Sequence, residues 1–191
     1  MHTALATSAS TPMSTPASPP ELAAVWAALE ALTDPEIPVV TLRELGILRA
    51  VRQDAQGALE VVITPTYSGC PAMGQIADDI AAVLHAQGWA GRVVTQLAPA
   101  WTTDWITDEA REKLRAYGIA PPSRCGSGLT AVASAQPLRF VPAALLKPDL
   151  VPCPHCGSAH TTPTSQFGST ACKALYKCLD CQEPFDYFKP Y

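Results

Sequence analysis

The segments CPHCGS (residues 153–158) and KCLDCQEP (residues 177–184) decide the fold of the C-terminal part of this 191-residue chain. Each contains a Cys-x-x-Cys pair, whose two sulfurs can bind one ion from a single tight turn. The pairs are separated by 21 residues, slightly more than the usual range of about 15 to 20. Two such pairs complete a tetrahedral shell of four thiolates. The spacing therefore predicts a zinc ribbon over residues 151–191, with Zn²⁺ bound by Cys153, Cys156, Cys178 and Cys181.

The predicted ribbon site is structural rather than catalytic. Four sulfur ligands leave no coordination position for water or substrate. Four thiolates also suit a single iron ion, so iron remains the alternative to zinc. The segment KALYK (residues 173–177) is predicted to form a ribbon strand. Three aromatic residues after the second pair are predicted to cover the site: Phe185, Tyr187 and Phe188.

The remaining cysteines and histidines are not predicted to bind the ribbon metal. Cys70, Cys125 and Cys172 fall outside the two pairs. Cys172 lies six residues before the second pair, and we interpret it as a buried or free thiol. His155 and His160 are interpreted as surface residues. The chain has seven cysteines, an odd number, which is unusual for a secreted protein held by disulfides. The N-terminal segment has no Lys or Arg and no continuous apolar run, so it does not resemble a signal peptide. Both observations favour a cytoplasmic protein.

The charge distribution argues against nucleic acid as a partner. The net charge is −4, and no stretch is densely basic, whereas nucleic-acid binding needs a concentrated positive surface. Within the ribbon, three lysines are balanced by three acidic residues. No run of eighteen apolar residues exists, so no membrane span is predicted.

Composition divides the chain into four parts. Residues 1–20 are mostly Ser, Thr, Ala and Pro, which predicts a disordered tail. Residues 21–120 carry helix and strand patterns, and 48% hydrophobic residues overall allow a packed core. Residues 121–150 are rich in proline and are predicted to form a linker with one or two short strands. Residues 151–191 form the ribbon.

Residues 21–120 are predicted to form an α+β domain with helices packed on a small mixed sheet. The predicted order is helix, strand, strand, helix, strand, helix. Apolar residues recur at helical spacing in ELAAVWAALEALT (residues 21–33) and after Pro71, where Gly88 ends the second helix. GILRAVRQ (residues 46–53) and ALEVVITPT (residues 58–66) predict a β-hairpin. RVVTQLAP and ITDEAREKLRAYG predict the last strand and helix.

Cys70 is the candidate reactive group of this domain. It directly precedes Pro71, where the N–H groups and partial positive charge of the helix end stabilise a thiolate. We therefore expect a lowered pKa for Cys70. Such a thiolate can bind a soft metal or act as a nucleophile, whereas the alternative is a small buried residue near a helix end. His85 lies about 20 Å away along the helix, so no Cys-His dyad is predicted.

Two further groups have a structural and a functional interpretation. Asp34 and Glu36, in DPEIP (residues 34–38), can bind a metal or cap a turn, and capping is the commoner use. Trp101 and Trp105 flank a short polar segment. They are interpreted as core residues, with a partner-binding anchor as the alternative.

The loops DPEIPVVTLRELGILR (residues 34–49) and TPTYSGCPAM (residues 64–73) resemble a known family. They are similar to the small domain of iron–sulfur cluster assembly factors of the SufT type, which also occurs in the eukaryotic cytosolic iron–sulfur targeting machinery. The similarity spans about residues 20–120. It implies that Cys70 is a transient ligand for iron or an iron–sulfur cluster, with Asp34 and Glu36 beside it. It also implies the iron–sulfur assembly machinery as a partner.

A second resemblance spans nearly the whole chain after the tail. WTTDWITDEAREKLRAYGIAPP (residues 101–122), CPHCGS and FGSTACKALYKCLDCQEPFDYFKP (residues 167–190) resemble the D subunits (PaaD, also named PaaJ) of the phenylacetyl-CoA oxygenase, the ring 1,2-epoxidase of aerobic phenylacetate degradation. No Glu-x-x-His pair or glycine-rich dinucleotide fingerprint is present, unlike in the di-iron and reductase subunits. The resemblance implies a non-catalytic accessory subunit that helps to mature or insert an iron–sulfur or di-iron centre, with the other oxygenase subunits as partners.

Two other functions remain as alternatives to maturation. One is a purely structural subunit of the oxygenase, and the other is a nucleic-acid-binding zinc ribbon, which the acidic balance opposes. A homodimer is also considered, because one metal shared by two Cys70 thiolates needs two chains.

Overall fold

The structure, a computed structural model, describes residues 21–122 and 150–191. The predicted tail, nearly all of the predicted linker and Cys125 lie outside the described residues. The first domain contains α1 (Leu22–Leu29), β1 (Leu48–Gln53), β2 (Leu59–Ile63), α2 (Met73–Ala86), β3 (Gly91–Thr95), a 3₁₀ turn (Thr103–Trp105) and α3 (Asp108–Tyr117). The second sheet contains β4 (Ile119–Ala120), β5 (Thr161–Ser165), β6 (Lys173–Cys178) and β7 (Pro184–Phe188).

The first sheet is mixed, as the sequence predicts. β1 and β2 form the antiparallel hairpin, and β3 pairs with β2 in parallel, so β2 is central. Both faces of β2 are buried: Val61 and Ile63 are on one side, and Val62 is only 1% exposed on the other. A central strand covered on both faces is rich in β-branched residues, which pack well on a pleated surface.

The helices carry the apolar stripes that their sequences indicate, although α1 ends at Leu29, before the predicted end at Thr33, and α2 begins at Met73 rather than at Pro71. In α2, Ile76, Ile80 and Leu84 are four residues apart and all buried, so they form the stripe that packs on the core. Gly88 follows α2 with a φ of 69°, in the left-handed region that glycine adopts readily. At the start of α3, the Thr107 hydroxyl accepts a hydrogen bond of 3.1 Å from the N–H of Ala110. The predicted α+β fold class is confirmed.

The ribbon sheet includes a strand from the first domain. Its order is β4-β7-β6-β5, and β4 pairs with β7 in parallel, with Ile119 opposite Asp186 and Ala120 opposite Tyr187. β4 directly follows α3, so the chain passes from the first domain into the ribbon sheet before residue 121. This two-residue strand is too short to show any periodicity, and the sequence does not predict it.

The two parts also share one hydrophobic core. Phe188, from the last ribbon strand, is 1% exposed and belongs to the same buried cluster as the residues of β2 and α2. Trp101 is buried too, and its indole N–H donates to the carbonyl of Leu45 at 2.9 Å. The prediction that Trp101 is a core residue is therefore confirmed. Trp105 packs against the core from a partly buried position, under the guanidinium of Arg49.

The described helices do not reach the length needed for a membrane. Among residues 21–122 and 150–191, no helix is long and apolar enough to cross a bilayer.

Candidate functional site

The four paired cysteines converge on one point in the ribbon. Their Sγ atoms all lie within 4.8 Å of one another. Cys153 and Cys181 have sulfurs 3.7 Å apart, and Cys156 and Cys178 have sulfurs 3.6 Å apart. Four sulfurs bound at about 2.3 Å to one tetrahedral ion lie about 3.8 Å from each other. The arrangement thus has the dimensions of a four-thiolate metal site.

Each cysteine pair lies in a tight turn that is held by backbone hydrogen bonds. In the first turn, the N–H of Gly157 donates to the carbonyl of Cys153 at 2.9 Å, and Gly157 has a φ of 77°. In the second turn, Gln182 has a φ of 67°. A non-glycine residue in this left-handed region is uncommon, which marks the turn as one that its surroundings hold in place.

The electrostatics of the four sulfurs favour a bound cation. The N–H of Cys181 donates to the sulfur of Cys178 at 3.5 Å and lowers the pKa of that thiol to about 7. The N–H of Glu183 lowers the pKa of Cys181. Desolvation and the neighbouring sulfurs outweigh this effect and raise that pKa to about 12. Sulfurs this close cannot all be thiolates unless a positive ion compensates their charges.

The histidines of the ribbon are not part of this sulfur cluster. His155 and His160 are both exposed, as the sequence predicts. The Nδ1 atom of His160 lies 3.1 Å from a carboxylate oxygen of Asp180 at the exposed surface of the ribbon. Among the described residues, no histidine joins the four cysteines in a group of potential metal ligands.

Cys70 lies in the turn that precedes α2. Its N–H donates to the carbonyl of Tyr67 at 3.1 Å, and its own carbonyl accepts from Met73 at 3.4 Å. The helix begins at Met73, so Cys70 is not its first residue. The prediction of a lowered pKa is wrong: burial raises the pKa of Cys70, although the N–H of Ala72 acts in the opposite direction. The cost of burying a thiolate outweighs the stabilising effect of the helix end.

The two carboxylates of the DPEIP loop affect the Cys70 thiol through their charges. Asp34 is 8% exposed, and its Oδ1 accepts hydrogen bonds from the N–H groups of Glu36 (2.8 Å) and Ile37 (2.9 Å). Asp34 therefore caps the turn, as expected of an acidic residue at this position. The negative charges of Asp34 and Glu36 add to the effect of burial, and both raise the pKa of Cys70. Glu36, unlike Asp34, is exposed.

Cys172 is packed in the hydrophobic core of the first domain rather than among the ribbon sulfurs. It is 8% exposed in the loop before β6, and its sulfur lies 3.0 Å from the hydroxyl of Thr170. The interpretation of Cys172 as a buried thiol is confirmed. A negative charge on Cys172 adds to the effect of burial in raising the pKa of Cys70. Since about a hundred residues separate these cysteines, sequence spacing provides no signal that both pack against one core.

The chain is similar to two protein families, each over a different part. Residues 22–95 match a family described as iron–sulfur cluster assembly protein. Residues 141–189 match the PaaD zinc beta ribbon domain. Both matches agree with the resemblances inferred from the sequence.

Individual relatives match either nearly the whole chain or about half of it. The chain is 47% identical over 173 residues to an Escherichia coli (strain K12) protein, the putative D subunit of 1,2-phenylacetyl-CoA epoxidase, and the match covers 89% of this chain and 93% of that one. It is 32% identical over 88 residues to an Fe-S protein maturation auxiliary factor of Porphyromonas gingivalis (strain ATCC BAA-308 / W83), covering 45% of this chain and 83% of that one. Among solved structures, a domain of unknown function (DUF59) from Bacillus anthracis has a TM-score of 0.45 at 29% identity, covering 49% of this chain and 90% of that one.

Proposed function

Because the chain belongs to the family of 1,2-phenylacetyl-CoA epoxidase D subunits (PaaD), we propose that it is an accessory subunit that helps to mature or insert the metal centre of that oxygenase. The family supports an accessory role in phenylacetate oxidation. Its similarity to an iron–sulfur assembly family, over residues 22–95, supports the more specific role in maturation. In this proposal the chain has no catalytic residue of its own, and iron or an iron–sulfur cluster is its cargo.

The observation that supports the proposal is that the negative charges of Asp34 and Glu36 act on the Cys70 thiol, since both raise its pKa in addition to the effect of burial. A thiolate and carboxylates are a suitable donor set for Fe²⁺. Asp34 uses one oxygen to hold its own turn, so it keeps the DPEIP loop in place. Glu36 is exposed and supplies the carboxylate that can reach the cargo.

The raised pKa of Cys70 determines how the cargo is bound. Near neutral pH the Cys70 sulfur keeps its proton, because its pKa lies above the usual value for a thiol. Binding of iron therefore releases this proton, and the affinity increases with pH. A neutral resting thiol is also less exposed to oxidation than a thiolate, which suits a group that binds its metal only transiently.

The four-cysteine site has a different role in the proposal. We assign Zn²⁺ to it, because the ribbon matches a zinc ribbon family and four thiolates leave no open position. The metal holds the ribbon fold. The ribbon in turn is suited to bind protein partners, namely the other oxygenase subunits and the iron–sulfur donor, since its lysines and acidic residues balance.

The iron content and activity of the oxygenase test this function. The oxygenase is purified from cells that lack this chain, from cells with Cys70→Ser, and from cells with Ser68→Ala. Ser68 is exposed in the same loop and serves as the matched control. Maturation predicts metal-poor, inactive oxygenase in the first two preparations and normal oxygenase in the third.

A purely structural role gives a different result. The oxygenase would then contain its full iron in all preparations, and stable association of this chain would not depend on Cys70. That outcome would refute the maturation function. A homodimer that shares one metal is tested separately, by sedimentation of the chain with and without iron; a monomer in both conditions refutes it.

A further inference from the structure

The four sulfur ligands of the ribbon differ in how far they are open to solvent. Cys178 is fully buried and Cys153 is 2% exposed, whereas Cys181 is partly buried and Cys156 is exposed. The space beside Cys156 is open as well, because a Cβ atom added at Gly157 would meet no atom within 4 Å beyond its chain neighbours. Cys156 is therefore the ligand that a small molecule in solution meets first.

Close sulfur–sulfur contacts join the two Cys-x-x-Cys turns to each other. The sulfur of Cys156 lies 3.6 Å from that of Cys178, and the sulfur of Cys153 lies 3.7 Å from that of Cys181. Each contact thus pairs a buried cysteine with a more exposed one from the other turn. Sulfurs at this separation need only a small shift to reach the disulfide bonding distance of about 2.05 Å.

Backbone hydrogen bonds hold Cys178 in place opposite Cys156. Cys178 is the last residue of β6, and its N–H donates to the carbonyl of Glu183 at 3.0 Å. Its sulfur accepts from the N–H of Cys181 at 3.5 Å. Cys156, in contrast, lies in a turn outside the strands. The buried sulfur is thus fixed, and the exposed sulfur is the one that can shift toward its partner.

This geometry suits a two-step oxidation by a peroxide. The sulfur of Cys156 attacks the peroxide, so that an S–O bond forms, the O–O bond breaks and hydroxide leaves. The sulfur of Cys178 then attacks the resulting sulfenic acid, so that the S–S bond forms and a second hydroxide leaves. Two electrons pass from the two thiolates to the peroxide, and two protons from solvent convert the hydroxides to water.

Formation of this disulfide leaves too few ligands for the metal. A structural zinc site needs four ligands in a tetrahedron, and after oxidation only Cys153 and Cys181 remain as thiolates. The ion then leaves, and the ribbon loses the folding energy that the metal supplies. Because Phe188 of the ribbon is part of the core of the first domain, the loss also affects the contact between the two parts of the chain.

We propose that the four-cysteine site is a redox switch, in which a peroxide oxidises Cys156 and Cys178 to a disulfide and thereby releases Zn²⁺. The inference rests on the assignment of Zn²⁺ to these cysteines and is independent of maturation through Cys70. It goes beyond a purely structural metal, because the exposed ligand makes the ribbon fold sensitive to oxidants.

Peroxide treatment of the unmodified, zinc-loaded chain tests the switch. Hydrogen peroxide is added in the presence of a colorimetric zinc indicator, and the disulfides are mapped by mass spectrometry after digestion with trypsin. Lys173 and Lys177 lie between the two Cys-x-x-Cys turns, so trypsin places the turns on separate peptides. The expected result is release of one Zn²⁺ per chain with a Cys156–Cys178 bond between these peptides. Dithiothreitol and added Zn²⁺ should reverse both changes.

The other outcomes of this measurement overturn the proposal, and they also separate it from the zinc assignment. Retention of Zn²⁺ in excess peroxide overturns the switch but leaves the assignment and the maturation function intact. A chain that binds no Zn²⁺ overturns the switch together with the assignment. Release of Zn²⁺ with a disulfide inside one turn, or with a disulfide to Cys172, overturns the pairing of Cys156 with Cys178.

Two substitutions that keep four zinc ligands test the role of the exposed thiol. Histidine is also a zinc ligand, so Cys156→His retains a complete shell but should release the metal at least about tenfold more slowly in peroxide. Cys181→His is the matched control, because it keeps both Cys156 and Cys178 and should release Zn²⁺ as the unmodified chain does. Equal release by the two variants overturns the proposal. If Cys156→His binds no Zn²⁺, the disulfide map of the unmodified chain decides.

Discussion

The ring of Trp101 lies with its centroid 5.9 Å from the ring centroid of Phe188 and at 42° to its plane. Trp101 belongs to the first domain, and Phe188 ends the last strand of the ribbon. Tyr191 adds an edge contact, with its centroid 6.4 Å from that of Trp101. The C-terminus of the ribbon is thus anchored in the core of the first domain, and the two parts of the chain depend on each other for stability.

Replacement of Phe188 by alanine should destabilise the whole chain. The side chain is 1% exposed, so its removal leaves a cavity in the shared core and should lower the free energy of unfolding by about 3–5 kcal/mol. Denaturant unfolding measures this. Phe167 is 63% exposed and is the matched control, for which Phe167→Ala should cost less than about 1 kcal/mol. Equal effects of the two variants would contradict the shared core.

Removal of the ribbon metal should affect the first domain as well as the ribbon. Structural Zn²⁺ contributes about 10–16 kcal/mol to the folding of small zinc modules, so the ribbon should unfold when a chelator removes it. Trp101 then loses its contacts with Phe188 and Tyr191, and its fluorescence should shift to longer wavelength. Added Zn²⁺ should reverse the shift. Unchanged Trp fluorescence in fully metal-free protein would show that the two parts are independent.

The alkylation rate of Cys70 should depend on pH in a defined direction. Because burial raises its pKa, the rate should still be rising above about pH 8.5, where an ordinary thiol is half ionised. Glu36→Gln removes a negative charge that disfavours the thiolate, so the inflection should move to lower pH. Asp78→Asn, an exposed change on α2, is the control. An inflection below pH 8.5 in the unmodified chain would contradict burial as the dominant effect.

Two threonines should respond in opposite ways to the same substitution. The hydroxyl of Thr64 is buried and has no hydrogen-bond partner among the described residues, so Thr64→Val should leave stability unchanged or raise it by about 1 kcal/mol. The hydroxyl of Thr107 accepts a hydrogen bond at the start of α3, so Thr107→Val should cost about 1 kcal/mol. Thermal or denaturant unfolding measures both. A loss of stability in Thr64→Val similar to that in Thr107→Val would indicate an unseen partner of Thr64.

Elements with strong local patterns were predicted correctly from the sequence. α2 has apolar residues at regular helical spacing and a glycine at its end, and the hairpin of β1 and β2 has alternating apolar residues around a short turn. The ribbon was predictable because four thiolates need two closely spaced pairs. The short strand β4 was not predictable, since two residues carry no periodicity and its partner β7 is more than sixty residues away.

The sequence by itself determined the order of the helices and strands up to α3, the α+β class and the two cysteine pairs, because each depends on residues that are near each other along the chain. The tertiary structure alone decided the surroundings of Cys70. Burial by residues distant in sequence raises its pKa, although the nearby helix end suggested the opposite. It also decided that Cys172 is buried in the core of the first domain. The packing of the ribbon on that domain depends on contacts such as that of Phe188 with Trp101, which no local pattern specifies.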